Sequence, residues 1–359
     1  MGDKVIKLGV MGLKRGWGVA SGALNDERVQ IRAVCDQNTE LHEKVRKAFK
    51  ENGKDTSDLL FLTDYEELLK SDVDAIVLAN FANEHVPFTV RALEAGKHVL
   101  SEVPAIYSIE EAKTLKEAVE AHPECKYMFG ENCCYWAFIE AWKEMHENGK
   151  FGEIVYAESE YLHAGPPKNF KPLAEHWRNH ISAIRYSTHN LGPLLYLMDD
   201  KVKTVSCMAP DPIYNPYKDG KQNGVALFKT EKGAVIRIFI GFGAYVGFDH
   251  NFRVVGTRGM AQTDANKPLD AARCYMRFED IPGTYDEMTE LPVGTAFVGE
   301  STVGHGGADV KMIADFITCI AEDKKPKLDI DLAIRMSLPG IIADESSKQG
   351  GALLEVPEI

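Results

Sequence analysis

The sequence predicts an α/β protein in two parts: a doubly wound parallel sheet over residues 1–125, then an α+β part over residues 126–359 built on an open, mostly antiparallel sheet. Three observations carry this. The chain opens with a strand, a glycine turn and a helix. Short apolar runs then alternate with helical stretches to about residue 125. After Phe151-Gly152 the runs lengthen, alternate partly in polarity and are separated by hairpin-type turns.

Residues 5–11 are apolar and β-branched and read as a strand, 12–18 as a turn, and 19–24 as the start of a helix carrying small Ala20 and Gly22. That order suits a dinucleotide. Glycine lets the backbone approach a pyrophosphate, and a helix N-terminus offers free N–H groups and a positive dipole end. Gly12, Leu13, Lys14, Arg15, Gly16 and Trp17 are therefore candidate cofactor contacts. The match to G-x-G-x-x-G is imperfect, because Lys14 stands where the second glycine belongs, and the bare spacing also suits an ordinary strand-turn-helix. A second apolar run, 30–35, ends at Asp36, 24 positions after Gly12. A carboxylate there hydrogen-bonds the adenosine ribose of NAD and repels the 2′-phosphate of NADP. Asp36 is also placed to cap a helix, as are Asn38 and Thr39, and the two roles are compatible.

The alternation continues with a charged helix at 39–52, a short strand at 60–63 and a short helix at 65–70. Residues 75–78 (AIVL) are wholly apolar, as a strand buried on both faces should be. A helix at 84–95 stops at Gly96. A strand at 98–100, a helix at 109–121, a strand at 126–130 and a helix at 137–148 follow. Beyond Gly152, strands are expected at 153–162, 202–208, 225–230, 234–241 and 252–256, with turns at 218–220, 231–233 and 257–259 suited to a meander. Helices at 308–322 and 330–348 close the second part.

Composition narrows the function. A length of 359 residues favours two cores over one. With 45% hydrophobic and 26% charged residues, disorder is not expected. The net charge of −13 argues against nucleic acid or an anionic membrane surface as partner. No apolar run approaches the roughly 20 residues that span a bilayer. The first residues have no apolar core of the secretory kind. Seven cysteines lack C-x-x-C spacing, which points to reduced thiols and a cytoplasmic setting.

Ligands of open α/β sheets bind at the carboxyl ends of the strands. Three such ends carry polar residues: Asn80, Asn83 and His85 after AIVL, Glu102 and Val103 after the 98–100 strand, and Asn132 after the 126–130 strand. These are candidate cofactor contacts, with helix capping an equal alternative for Asn83. A second cluster lies in the other part, with Trp177 and Arg178, then Arg185, Tyr186 and His189. A Tyr and a His three apart share a helix face, and both move protons. The alternative for His189 is a hydrogen-bonded core histidine beside a packing tyrosine. His176 and His180 have metal-pair spacing without a third ligand at a familiar distance, so no metal is expected. His305, in a Gly304-His305-Gly306-Gly307 loop, either touches substrate or only precedes the helix.

The order of features resembles the Gfo/Idh/MocA oxidoreductases over essentially the whole chain. LGVMGLKRG, the run from Asp74 through ANEH to ALEAGKHVLSEVPA, and FGEIVYAESEY carry the likeness. It implies an N-terminal Rossmann domain, a C-terminal open-sheet domain, NAD as cofactor, and a sugar or polyol as substrate. Two departures stand out. Glu102-Val103-Pro104 replaces Glu-Lys-Pro, and Arg185 stands where an Asp often precedes the histidine by four. Valine neither hydrogen-bonds nor donates a proton. The departures resemble the NAD-dependent α-N-acetylgalactosaminidase branch, through Glu-Val-Pro-Ala at 102–105, Glu-Asn-Cys-Cys-Tyr at 131–135, Tyr-x-His at 161–163, Tyr-x-Thr-His-x-Leu-Gly-Pro at 186–193 and Gly-His-Gly-Gly at 304–307. The phosphate-binding turn is a residue shorter than in that branch.

That resemblance implies a redox-neutral glycosidase: C3 oxidation, loss of the C2 proton, elimination at C1, addition of water, and re-reduction. His189 would be the base at the C3 hydroxyl, with Tyr186 orienting it, and Tyr161 would serve C2. Glu102, His163, Trp177, Arg178, Tyr245 and His305 are candidate substrate contacts. A net sugar dehydrogenase or epimerase on the same fold competes with this, as does a non-catalytic NAD- or sugar-binding protein. A homo-oligomer through the C-terminal sheet is expected.

Overall fold

The computed structural model describes residues 5–163, 181–211, 222–243, 248–264, 274–290 and 303–359. One sheet consists of β1 (Ile6–Met11), β2 (Val29–Cys35), β3 (Leu60–Leu62), β4 (Ala75–Leu78), β5 (His98–Ser101) and β6 (Tyr127–Phe129). All of its pairings are parallel, in the order β3-β2-β1-β4-β5-β6. The order reverses between β1 and β4, which is where such sheets open a crevice for a ligand. The helices are α1 (Gly16–Ala20), α2 (Glu40–Glu51), α3 (Tyr65–Lys70), α4 (His85–Glu94), α5 (Ile109–Ala121), α6 (Ala137–Glu147) and α7 (Thr188–Met198). Then come α8 (Val303–Gly306), α9 (Ala308–Ala321) and α10 (Ile330–Lys348).

Local chemistry explains several boundaries. All four residues of β4 are buried, as its apolar run requires. Asp64 caps α3 by accepting from the Glu66 N–H at 2.9 Å. Ser108 caps α5 by accepting from the Glu111 N–H at 3.1 Å, and the Glu111 carboxylate takes the Tyr107 N–H at 2.6 Å. The second bond falls one residue before the cap and ties the incoming chain to the first turn of the helix. The helix expected from residue 19 starts earlier, at Gly16, and tightens into a 3₁₀ turn over Ser21–Ala23.

The second sheet contains β7 (Ile154–His163), β8 (Val202–Met208), β9 (Asn223–Thr230), β10 (Val235–Gly241), β11 (Phe248–Gly256), β12 (Gly259–Thr263), β13 (Cys274–Phe278), β14 (Thr289–Glu290) and β15 (Leu354–Glu355). Its order is β14-β13-β12-β11-β7-β10-β9-β8-β15. The expectation of a mostly antiparallel sheet holds, but a plain meander does not. β7 pairs parallel with β10 and antiparallel with β11. The reason is topological. The chain leaves β7, passes through α7 and enters the sheet again at β8, and the β8-β9-β10 hairpins then return to β7 in its own direction. β9 alternates strictly, with Gly224, Ala226, Phe228 and Thr230 buried and Val225, Leu227 and Lys229 exposed. The turn expected at 218–220 lies outside the described residues.

Two compact units emerge, Met1–Asn132 with Ser301–Ile334, and Cys133–Glu300 with Arg335–Ile359. This differs from a division at 125/126 in two respects. β6 is the sixth strand of the parallel sheet and belongs with the first unit. So does α9, expected to close the second part: a Cβ on Gly22 would lie 3.1 Å from the Val310 Cα, so α9 packs close on the 3₁₀ turn after α1. All seven cysteines are free and buried.

Candidate functional site

The first unit carries a turn built for close backbone approach. Gly12 has φ +82°, and a Cβ there would lie 2.3 Å from the Ala79 carbonyl oxygen. The turn hangs on the end of β2: the Gly12 N–H donates to the Cys35 carbonyl at 3.0 Å, and the Leu13 N–H donates to the Asp36 carboxylate at 2.7 Å. Asp36 does not cap α2. Its other oxygen accepts the Asn38 N–H at 2.8 Å, and Asn38 in turn accepts the Glu40 N–H at 3.1 Å. A short glycine turn at the sheet's switch point, with a carboxylate at the end of β2, fits a dinucleotide. Leu13 and Gly16 are buried and Lys14 is exposed. Trp17 stacks on Phe49 of α2 at 6.0 Å between centroids.

Arg15 is held from two sides. Its Nε lies 2.8 Å from Glu102 at the end of β5, and its two terminal nitrogens donate to Asp309 at 2.6 and 2.8 Å. Asn132 and His305 also reach Asp309, each at 2.9 Å. Burial works against the Asp309 anion, but hydrogen bonds from Arg15 and His305 prevail and hold its carboxyl well below the usual range. His85 is buried, its Nδ1 2.8 Å from the Pro104 carbonyl and its Nε2 3.2 Å from the Asn80 carbonyl. Burial, the largest cause, lowers its pKa, so it stays neutral and its shorter bond is an Nδ1–H donation to Pro104. It thereby ties the loop after β4 to the loop after β5. Asn80 donates to Glu84 at 3.1 Å, Asn83 is exposed, and Val103 is buried.

The second unit gathers the expected proton-moving residues. Tyr186 ends a 3₁₀ turn (Ala183–Tyr186) and His189 lies in the first turn of α7, so the pair does not share one α-helix. Their rings nevertheless meet edge-on at 5.1 Å. Tyr161, from β7, meets His189 edge-on at 5.5 Å from another side. His189 is half-buried and both tyrosines are buried. His163, two residues after Tyr161, is exposed, with its ring 5.8 Å from that of Tyr161. Trp177, Arg178 and Tyr245 lie outside the described residues, as do His176 and His180.

Sequence reasoning missed three residues here. Cys133 places its sulfur 3.4 Å from the His189 Nδ1. His250 faces Tyr161 in register across β11 and β7, with rings 4.7 Å apart, and its Nε2 donates to the His189 carbonyl at 3.1 Å. The signal was alternation: a strand starting at 248 puts His250, Phe252 and Val254 on one inward face. Asp309 lies four residues after His305, but its role as the anchor of Arg15 and Asn132 arises only from tertiary contact.

His250 is driven well below the usual imidazole range, chiefly by burial and then by neighbouring His189. An unfolded imidazole titrates near 6.5. Below that pH the unfolded chain binds protons that native His250 and His85 refuse, so stability falls as pH falls. The slope approaches about 1.4 kcal/mol per pH unit for a histidine that stays neutral throughout, as His250 does, and His85 adds to it in the same direction. Chemical denaturation between about pH 7.5 and 5.5 should show it, and His250→Phe should flatten it. An unchanged slope in the variant would mean that His250 titrates normally.

The fold defines an NAD-binding oxidoreductase class of enzyme, whose second unit holds a cluster of tyrosine and histidine side chains. Residues 6–130 match the oxidoreductase family with NAD-binding Rossmann fold, and residues 139–262 match the GFO/IDH/MocA C-terminal domain. A glycosyl hydrolase family 109 protein of Solibacter usitatus is 31% identical, over 98% of this chain and 88% of its own. Family 109 protein 4 of Phocaeicola vulgatus is 29% identical, over 92% and 73%. The chain belongs to glycosyl hydrolase family 109, within the Gfo/Idh/MocA oxidoreductases. Among solved structures, an oxidoreductase domain protein from Kribbella flavida aligns with a TM-score of 0.83 at 19% identity, covering 99% of this chain and 100% of its own. Levoglucosan dehydrogenase, solved with NADH and levoglucosan, aligns at 0.81 and 18%, covering 98% and 100%. At such identities these likenesses concern the fold alone.

Proposed function

We propose that this protein is an NAD-dependent glycoside hydrolase that oxidises its sugar transiently at C3, eliminates the C1 substituent, adds water and restores the C3 hydroxyl. The observation that carries this reading is the half-buried His189 imidazole flanked edge-on by the rings of Tyr161 and Tyr186. Membership of family 109 supports it. Bound NAD⁺ supplies a hydride acceptor at C3 and its reduced form returns the hydride. Gly12 to Trp17, Asp36, Asn80, Asn83, His85, Glu102, Val103 and Asn132 form the cofactor half, which Asp36 biases toward NAD over NADP.

His189 accepts the C3 hydroxyl proton, with Tyr186 orienting the imidazole. Oxidation at C3 acidifies the C2 proton. Tyr161 acts there, and to act as a base it must enter as phenolate. The imidazolium left on His189 favours that anion at close range. Glu102, His163, Trp177, Arg178, Tyr245 and His305 hold the sugar. Seven buried thiols support a cytoplasmic setting. Among the described residues no helix is long and apolar enough to cross a membrane. Exposed Val155, Val225 and Leu227 on the second sheet support a homo-oligomer through that sheet, which light scattering would measure.

Purified protein tested on aryl α- and β-glycosides should release the aryl group without net NADH. Stoichiometric NADH would favour the dehydrogenase or epimerase reading. Sugar binding without conversion would favour a non-catalytic one.

A further inference from the structure

We propose that Asp309 is the positioning residue of the cofactor half: one carboxylate sets the Arg15 guanidinium, the Asn132 amide and the Nδ1 proton of His305. Oδ1 accepts from Arg15 Nη2 at 2.8 Å and Asn132 Nδ2 at 2.9 Å. Oδ2 accepts from Arg15 Nη1 at 2.6 Å and His305 Nδ1 at 2.9 Å. A carboxylate has about four acceptor sites, and these four bonds use them. The three partners come from the turn after β1, the 3₁₀ turn that follows β6, and α8, so a single side chain fixes three segments far apart in sequence.

The consequence for His305 is a tautomer. Asp309 is 1% exposed and accepts only, so Nδ1 must carry a proton, and in the neutral imidazole Nε2 then holds the lone pair. His305 itself is 55% exposed, and its backbone holds φ +48°, followed by Gly306 at +67° and Gly307 at +87°. A non-glycine residue in that region is uncommon and marks an imposed conformation. This turn therefore stands the ring on Asp309, and the acceptor of the neutral imidazole is Nε2. The consequence for Arg15 is that its charge is committed to Asp309 and Glu102, so the turn meets a pyrophosphate chiefly through backbone N–H groups.

The role toward substrate rests on the glycosidase reading, whereas the tautomer and the cofactor affinity do not. Nitrogen-15 NMR of histidine-labelled protein at alkaline pH, with the His305 signals assigned by their loss in His305→Gln, should show the Nδ1–H form. Asp309→Asn is isosteric but turns two acceptors into an NH₂ that faces donors. It should weaken NAD binding roughly 10- to 100-fold, the worth of one charge-assisted hydrogen bond, because whichever way the amide turns one pair of donors loses its acceptor. With substrate in hand, Asp309→Asn, His305→Ala and the double variant should lose kcat by similar factors, because one acts through the other. The wild-type measurement needs no variant to fold: an Nε2–H imidazole there overturns the proposal. Tighter NAD binding in Asp309→Asn by a released Arg15, or multiplicative losses in the double variant, would each do so as well. Failure of glycoside turnover alone would strike the proposed reaction and leave Asp309's role standing.

Discussion

His189→Ala lowers turnover by on the order of 10²–10⁴-fold, the usual worth of a general base, and leaves NAD affinity unchanged. The second half of that expectation matters as much as the first. Arg15 is held by Asp309 and Glu102, and Asp36 holds the Leu13 N–H, all within the first unit. A loss of NAD binding in the variant would therefore indicate misfolding and not a missing base. Calorimetric titration with NAD separates the two. Near-normal turnover would remove His189 from the chemistry.

A comparison with Tyr161→Phe locates the step. If His189 serves C3, His189→Ala should show no NADH absorbance when glycoside is mixed in, because the hydride cannot leave a protonated carbinol. Tyr161→Phe should still form NADH in one turnover and then stall, because the C2 proton stays in place. The opposite pattern would exchange the two assignments. His250→Phe is the structural control. It removes the donor to the His189 carbonyl but leaves both the imidazole and the phenol of Tyr161. It should reduce kcat less than His189→Ala, by about tenfold, in keeping with one lost hydrogen bond.

The first sheet was legible because its strands are short, largely apolar and bounded by turns, with AIVL the clearest case. That run buries both faces, and right-handed crossovers leave few ways to arrange such strands. The second sheet was legible as strands but not as a topology. That β7 pairs parallel with β10 depends on where a distant connection enters the sheet, and local periodicity carries no such information. The site divides likewise. Tyr186 and His189 announced themselves through spacing and type. Cys133 and His250 join them only through tertiary contact, and His250 was hidden by placing the start of β11 four residues late. Asp309 needed knowledge that α9 returns to the first unit. A buried carboxylate with four donors around it is a property of assembled segments, which neither composition nor periodicity encodes.

Gly12→Ala should lower stability by about 3–5 kcal/mol and the midpoint of thermal unfolding by on the order of 10 °C, with loss of measurable NAD binding. Two costs combine. At φ +82° an L side chain pays about 1–2 kcal/mol in backbone strain. The new methyl would also lie 2.3 Å from the Ala79 oxygen and 2.6 Å from its carbonyl carbon, and neither is the end of a flexible side chain. The Ala79 N–H is bonded to the Met11 carbonyl at 2.9 Å, so the clash cannot be relieved without opening the join between β1 and β4. That join is the switch point where the dinucleotide is expected. Gly96→Ala separates the two costs: its φ is +71°, but nothing lies within 4 Å of the new Cβ. It should lose only the strain, about 1–2 kcal/mol, and keep NAD binding. Equal destabilisation by the two substitutions would show that the turn after β1 yields readily, and would remove tight closure of that turn as the reason glycine is needed at position 12.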